Sequence, residues 1–134
     1  MVLRFYGVEK SENILARLSG HTVKAGVGGE GLVKAARKLG FKAFIKDFAG
    51  FGDIRKYVLI KKIPVIVDWF SENEGHYSVV AGIGRGHIYL QDPEIGGIRK
   101  MDLVTFKRVW FDFPGEFIKA KRELIVRRLL AVYR

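Results

Sequence analysis

Three runs decide the fold: Ile63-Pro64-Val65-Ile66-Val67-Asp68-Trp69-Phe70, then Gly75-His76-Tyr77-Ser78-Val79-Val80-Ala81-Gly82-Ile83, then His87-Ile88-Tyr89-Leu90-Gln91-Asp92-Pro93-Glu94-Ile95-Gly96. The first is compact and rich in β-branched residues, the composition of a buried strand. The other two read as strand, tight turn, strand, with Gly84-Arg85-Gly86 supplying the positive φ of a hairpin turn. Asp92-Pro93 ends the last strand. Centring the hairpin near Arg85 makes cross-strand partners of positions that sum to about 170. His76 and Asp92 then stand at the same open end of adjacent strands, diagonal neighbours roughly 7–8 Å apart at the backbone. An imidazole–carboxylate hydrogen bond there would fix the tautomer and stabilise an imidazolium, which a base in nucleophilic catalysis requires.

Upstream of these strands the pattern is helical. Val2, Leu3, Phe5 and Tyr6 form an apolar cluster ending at Gly7, and Ser11 can cap a helix carrying Ile14, Leu15 and Leu18 that Gly20 closes. Over 31–40, Leu32, Ala35, Ala36 and Leu39 share a face that excludes Lys34, Arg37 and Lys38, and Gly40 terminates the helix. Residues 41–48 read as a short strand, and Asp53 is expected to cap a helix reaching Lys62. Downstream, Asp102 is expected to cap a helix with Leu103, Phe106 and Trp110 inward. The run 123–133 (ELIVRRLLAVY) reads as a strand paired with 115–121 (GEFIKAK). Helices first and a mostly antiparallel sheet second make an α+β domain. No repeat or linker divides residues 1–134, so a single domain is expected.

Composition narrows the chemistry. With 134 residues and no cysteine, the chain buries a sizeable core without staples and has no disulfide, thiolate zinc site or thiol nucleophile. No apolar window approaches the roughly 18 residues that span a bilayer, and the first residues lack the order of a signal peptide, so a cytoplasmic setting is expected. The net charge is +10, and six basic residues against one acidic fall within Lys119–Arg134. That concentration raises an alternative function, a nucleic-acid-binding module built on the basic C-terminal segment. The apolar core of LIVRRLLAV argues against it, because such a run reads as a strand of the core.

Other motifs carry less. Gly26-Val27-Gly28-Gly29-Glu30-Gly31 is formally G-x-G-x-x-G, but no buried strand precedes it, so a dinucleotide site is not expected. His21, His76 and His87 lack metal-ligand spacing. No serine occupies a nucleophile elbow, and Ser78 sits too close to His76 on the same strand to attack past it. Trp69, Phe70 and Tyr77 are candidates for a groove wall or for the core, and Asp68, Glu72 and Glu74 would make this end of the sheet acidic.

These residues resemble the papain-like double-glycine (bacteriocin-leader) peptidases and their stand-alone relatives. The pattern H-Y-x-V-V-x-G stands at His76–Gly82 and D-P-x-x-G at Asp92–Gly96, and GVGGEGLVKAARKLG is similar to that family's middle segment. The resemblance implies a papain-like fold in which a helical half packs on a twisted antiparallel sheet. It implies that His76 is the general base and Asp92 the acid that orients it, with peptide or protein as substrate and no cofactor or metal. In the family a nucleophilic cysteine heads a helix whose tail Met1-Val2-Leu3-Arg4-Phe5-Tyr6-Gly7 resembles. The chain would then be N-terminally incomplete relative to the family and inactive as given. It would be either the product of a start codon placed too late or a degenerate relative that docks peptides without cutting them. Loss of that first helix turn would leave an apolar patch favouring a homodimer.

Overall fold

The computed structural model describes residues 29–72, 74–93 and 95–134. The helices expected within 2–20, and residues 26–28 of the glycine-rich loop, lie outside the described residues. Helix α1 (Gly29–Lys38) leads into β1 (Lys42–Lys46), and α2 (Phe51–Arg55) runs on into a π-helical turn (Lys56–Ile60). Then come β2 (Val65–Ser71), β3 (Glu74–Ile83), β4 (His87–Asp92), β5 (Gly97–Asp102), α3 (Leu103–Val109) and β6 (Phe111–Asp112). A 3-10 turn (Lys121–Glu123), β7 (Ile125–Val126) and β8 (Arg128–Tyr133) complete the chain. One six-stranded sheet has the order β1-β8-β2-β3-β4-β5, antiparallel at every step. The α+β architecture is as expected.

Strand alternation sends side chains to two faces, and each face has its own core. On one, Val65, Val67, Trp69, Val80, Ile88, Leu90 and Leu129 pack with Ile54, Leu103, Phe106 and Trp110, which brings α2 and α3 onto the sheet. On the other, Val33 and Ala36 of α1 pack with Phe41, Ala43, Leu130 and Val132. Burying aromatic side chains as completely as Phe106 and Trp110 stabilises the fold by about 2–3 kcal/mol each.

Several local expectations are revised. Helix α1 begins two residues earlier than its apolar stripe suggests and stops at Gly40, where φ is +89°. Gly50, rather than Asp53, is the N-cap of α2; Asp53 lies at the third helical position, where its carboxylate accepts the Gly50 N–H at 2.8 Å and the Lys46 ammonium at 2.7 Å. Neither Gly84 nor Gly86 adopts a left-handed φ; the turn closes with the Gly84 N–H donating to the His87 carbonyl at 2.8 Å, and a one-residue slip between Val80 and Gly82 absorbs the twist.

The C-terminal pairing differs more. Residues 115–121 pair with no strand; β7 pairs with β6, Arg127 at φ +45° bends the chain between β7 and β8, and β8 inserts between β1 and β2. The reason is two-sided burial. Leu129, Leu130, Ala131 and Val132 are all buried, so they need cover on both faces, which a central strand provides. The segment 115–121, with exposed Phe117 and two lysines, offers no such cover.

Candidate active site

The β3–β4 register keeps the pairing that centring on Arg85 predicts, Val79 with Gln91 and Val80 with Leu90. Continued to the end of the hairpin, it sets Asp92 and His76 on one face, and His76 Nε2 hydrogen-bonds Asp92 Oδ1. The Asp92 side chain is wholly buried and that of His76 is 16% exposed. Beneath the imidazole lies Trp69, the β2 partner of His76, with ring centroids 5.6 Å apart at 75°. The Trp69 indole N–H donates to Ser78 Oγ at 3.0 Å, which fixes the ring. Ser78 therefore serves to hold Trp69 in place.

The D-P-x-x-G motif has a mechanical role. The Gly96 N–H donates to the Asp92 carbonyl at 3.0 Å, and Gly96 takes φ +65°, a conformation a side chain would oppose. That turn returns β5 with Gly97 opposite Asp92, so Arg99 emerges on the face of Asp92. Arg99 Nε donates to Asp92 Oδ2 at 2.8 Å, and its guanidinium lies 5.6 Å from the Trp69 ring centre. Sequence reasoning missed Arg99. The signal was available in the D-P-x-x-G-G turn, which fixes the face on which residue 99 must fall.

The opposite face at the same end of the sheet corrects two expectations. Asp68 contributes nothing to an acidic surface: it is completely buried, while Glu72 and Glu74 are exposed. Its carboxyl oxygens are shut off from solvent, and the polar group they face is the carboxyl of Asp112. Burial first, and then the neighbouring Asp112, raise its carboxyl to about 9, so Asp68 is protonated at neutral pH. Burial also pushes the Tyr77 hydroxyl up. Asp112 presses so closely on Gly75 that a Cβ there would meet its carboxylate at 2.2 Å. Nearby, Arg128 makes two bonds to Asp47, at 2.7 and 2.9 Å, and that pairing holds its guanidinium above its usual range. Phe70 and Tyr77, weighed as groove wall, both point to this opposite face, Phe70 stacking on Phe111 and Phe113 at 5.2 and 5.3 Å. Of the three aromatic candidates, Trp69 is the one beside His76, and it is also core.

The remaining candidates fall elsewhere. His87 is half-buried opposite Asp102, and His21 lies outside the described residues. Of the basic C-terminal residues, Arg127 donates to the Ala49 carbonyl, Arg128 is spent on Asp47, and Arg134 lies over the Phe41 ring. The strand they flank is the core strand its apolar run implied. Among the described residues, no group of three or more His, Asp and Glu is placed to hold a metal ion, and no helix is long and apolar enough to cross a membrane.

An antiparallel sheet between helices, with an imidazole and a carboxylate joined at the mouth of one hairpin, defines the papain-like class of folds. Residues 1–114 match the peptidase C39 family, and the chain belongs to it. It is similar in structure to the peptidase domain of Streptococcus ComA, described as a bi-functional ABC transporter involved in quorum sensing. There the TM-score is 0.73 and the identity 22%, over 98% of this chain and 84% of that one. It is similar also to a double glycine motif protease from an AMS/PCAT transporter, solved in complex with its leader peptide, with TM-score 0.66 and 21% identity over 99% and 78% of the two chains. The Streptococcus mutans ComA peptidase domain gives TM-score 0.60 and 19% identity over 89% and 84%. At these identities the likeness establishes the fold. No curated protein matches the sequence.

Proposed function

We propose that this domain docks a leader-type peptide ending in a double glycine beside His76, and that His76 and Asp92 are the base half of a cysteine-peptidase site. The observation that carries this reading is the bond between His76 Nε2 and Asp92 Oδ1 at the hairpin mouth. It commits Nε2 to the carboxylate, so Nδ1 is the ring atom that would take a thiol proton and return it to the leaving amine. Asp92 orients the ring and stabilises it when charged. The nucleophile of that reaction, a thiolate, has no source among these 134 residues, which include no cysteine. This chain therefore holds its peptide without forming a thioacyl enzyme. The cytoplasm is the setting we assign, by analogy with relatives that are parts of transporters.

The test is a titration with a fluorescent peptide ending in Gly-Gly, against a control in which both glycines are replaced by valine, with mass spectrometry of the recovered peptide. Saturable binding that favours the glycine peptide and persists at raised salt, with the peptide recovered intact, is expected. Absence of binding, equal affinity for the control or cleavage overturns the reading. Duplex DNA titrated in parallel separates the alternative class, since phosphate binding weakens steeply with salt.

A further inference from the structure

Asp92 is clasped a second time, by a group that the imidazole–carboxylate reading does not include. Arg99, two residues beyond the Gly97 partner of Asp92 on β5, reaches diagonally across the sheet and donates Nε to Oδ2 at 2.8 Å. The acid is wholly buried and the arginine side chain 31% exposed. We propose that Arg99 is a positioning residue for His76: it locks the Asp92 carboxylate from the side away from the imidazole and supplies a fixed counter-charge. This inference rests on the reading above, in which His76 and Asp92 form the site.

A buried carboxylate is costly unless charge and hydrogen bonds meet it. An imidazole can donate a hydrogen bond in either state but supplies the charge only while doubly protonated. A guanidinium supplies both at every accessible pH, with a planar fork that also stacks on an aromatic ring. Both features are present, because Trp69, pinned by Ser78, lies under the Arg99 guanidinium as well as under the His76 ring. The five side chains form one clasp: Ser78 holds Trp69, Trp69 supports His76 and Arg99, and those two hold Asp92. In this chain, which has no thiolate, the arginine balances the carboxylate whether or not the imidazole carries a proton.

The consequence has a definite sign. Sharing Asp92 with Arg99 weakens the pull of the carboxylate on the imidazole proton. Removing the guanidinium returns that pull to His76. The experiment follows the His76 ring signals of the full chain by NMR through a pH series, with His87 as internal control. Arg99→Met is expected to move the His76 midpoint upward by about one pH unit, roughly tenfold tighter proton binding, and Arg99→Lys to restore most of it. Arg99→Gln carries the same expectation as Arg99→Met should the latter not fold. Asp92→Asn is expected to lower the midpoint and to abolish the Arg99→Met shift in the double variant.

Each other result is decisive. An unmoved midpoint in Arg99→Met, with Asp92→Asn still effective, overturns the role of Arg99 and leaves the pair intact. A shift of equal size in the Asp92→Asn background also overturns it, since Arg99 would then act on His76 directly. An Asp92→Asn variant with no effect on His76 overturns the underlying reading.

Discussion

Two buried aspartates stand on opposite faces of the same sheet end, and their surroundings assign them opposite states. Asp92 lies among an imidazole, a guanidinium and an indole, and is the carboxylate of an ion pair. Asp68 lies buried against a second acid, Asp112, and is pushed up to about 9. Burial alone therefore does not decide what a carboxyl does; the charge of its nearest neighbour does. One face is arranged to hold charge beside an imidazole, and the other to bury a neutral acid under the strand that carries it.

The largest effect should come from breaking the charged side. Asp92→Ala leaves the Arg99 guanidinium without its carboxylate partner, and a loss of about 2–3 kcal/mol is expected in urea unfolding. That is below the 3–5 kcal/mol of a fully buried pair, because Arg99 is about a third exposed. On the acid side, Gly75→Ala places a methyl group within 2.4 Å of the Asp112 carboxylate and should cost about 1–3 kcal/mol. Much of that loss should return in the double variant Gly75→Ala/Asp112→Ala, because the two sites are in contact. Additive losses in this double variant would mean that the crowding is relieved elsewhere.

The acid face also predicts a pH dependence. The folded carboxyl of Asp68 binds its proton more tightly than the unfolded one, whose ordinary value is 3.8. The native state then keeps a proton that the unfolded state has released, so this group's contribution to stability falls as pH rises from about 4 to about 9. Asp68→Asn removes that dependence. At pH 8 its melting temperature should exceed that of the parent by about 4 °C or more, and at pH 4 the two should nearly coincide. An unchanged difference across that range would mean that Asp68 is ionised in the fold. The smallest effect is expected from Trp69→Phe. It deletes the bond to Ser78 and leaves a buried hydroxyl unpaired, a loss of about 1 kcal/mol that calorimetry can read.

The charged side was the more legible of the two in the sequence. The β3–β4 hairpin is a local structure whose register follows from the turn position and the strand period, so residues 76 and 92 could be brought together from spacing alone. Residues 31–38 were equally legible, because an amphipathic stripe and a terminal glycine are local features. The position of β8 was not, since a run buried on both faces does not say which strands flank it. Asp68 was misread because pattern reading takes a charged residue in an apolar run as solvent-facing, and only the tertiary fold brings Asp112, 44 positions away, against it. Arg99 lies one turn beyond the hairpin, on a face that the pairing of Gly97 with Asp92 sets.

The most direct test of peptide docking at His76 is to follow the histidine ring signals of the isotope-labelled chain as a peptide ending in Gly-Gly is added. Saturable displacement of the His76 signals, with those of His87 unmoved and the peptide recovered whole, is the predicted result. Peptide binding that leaves His76 undisturbed would place the docking surface elsewhere and contradict the account.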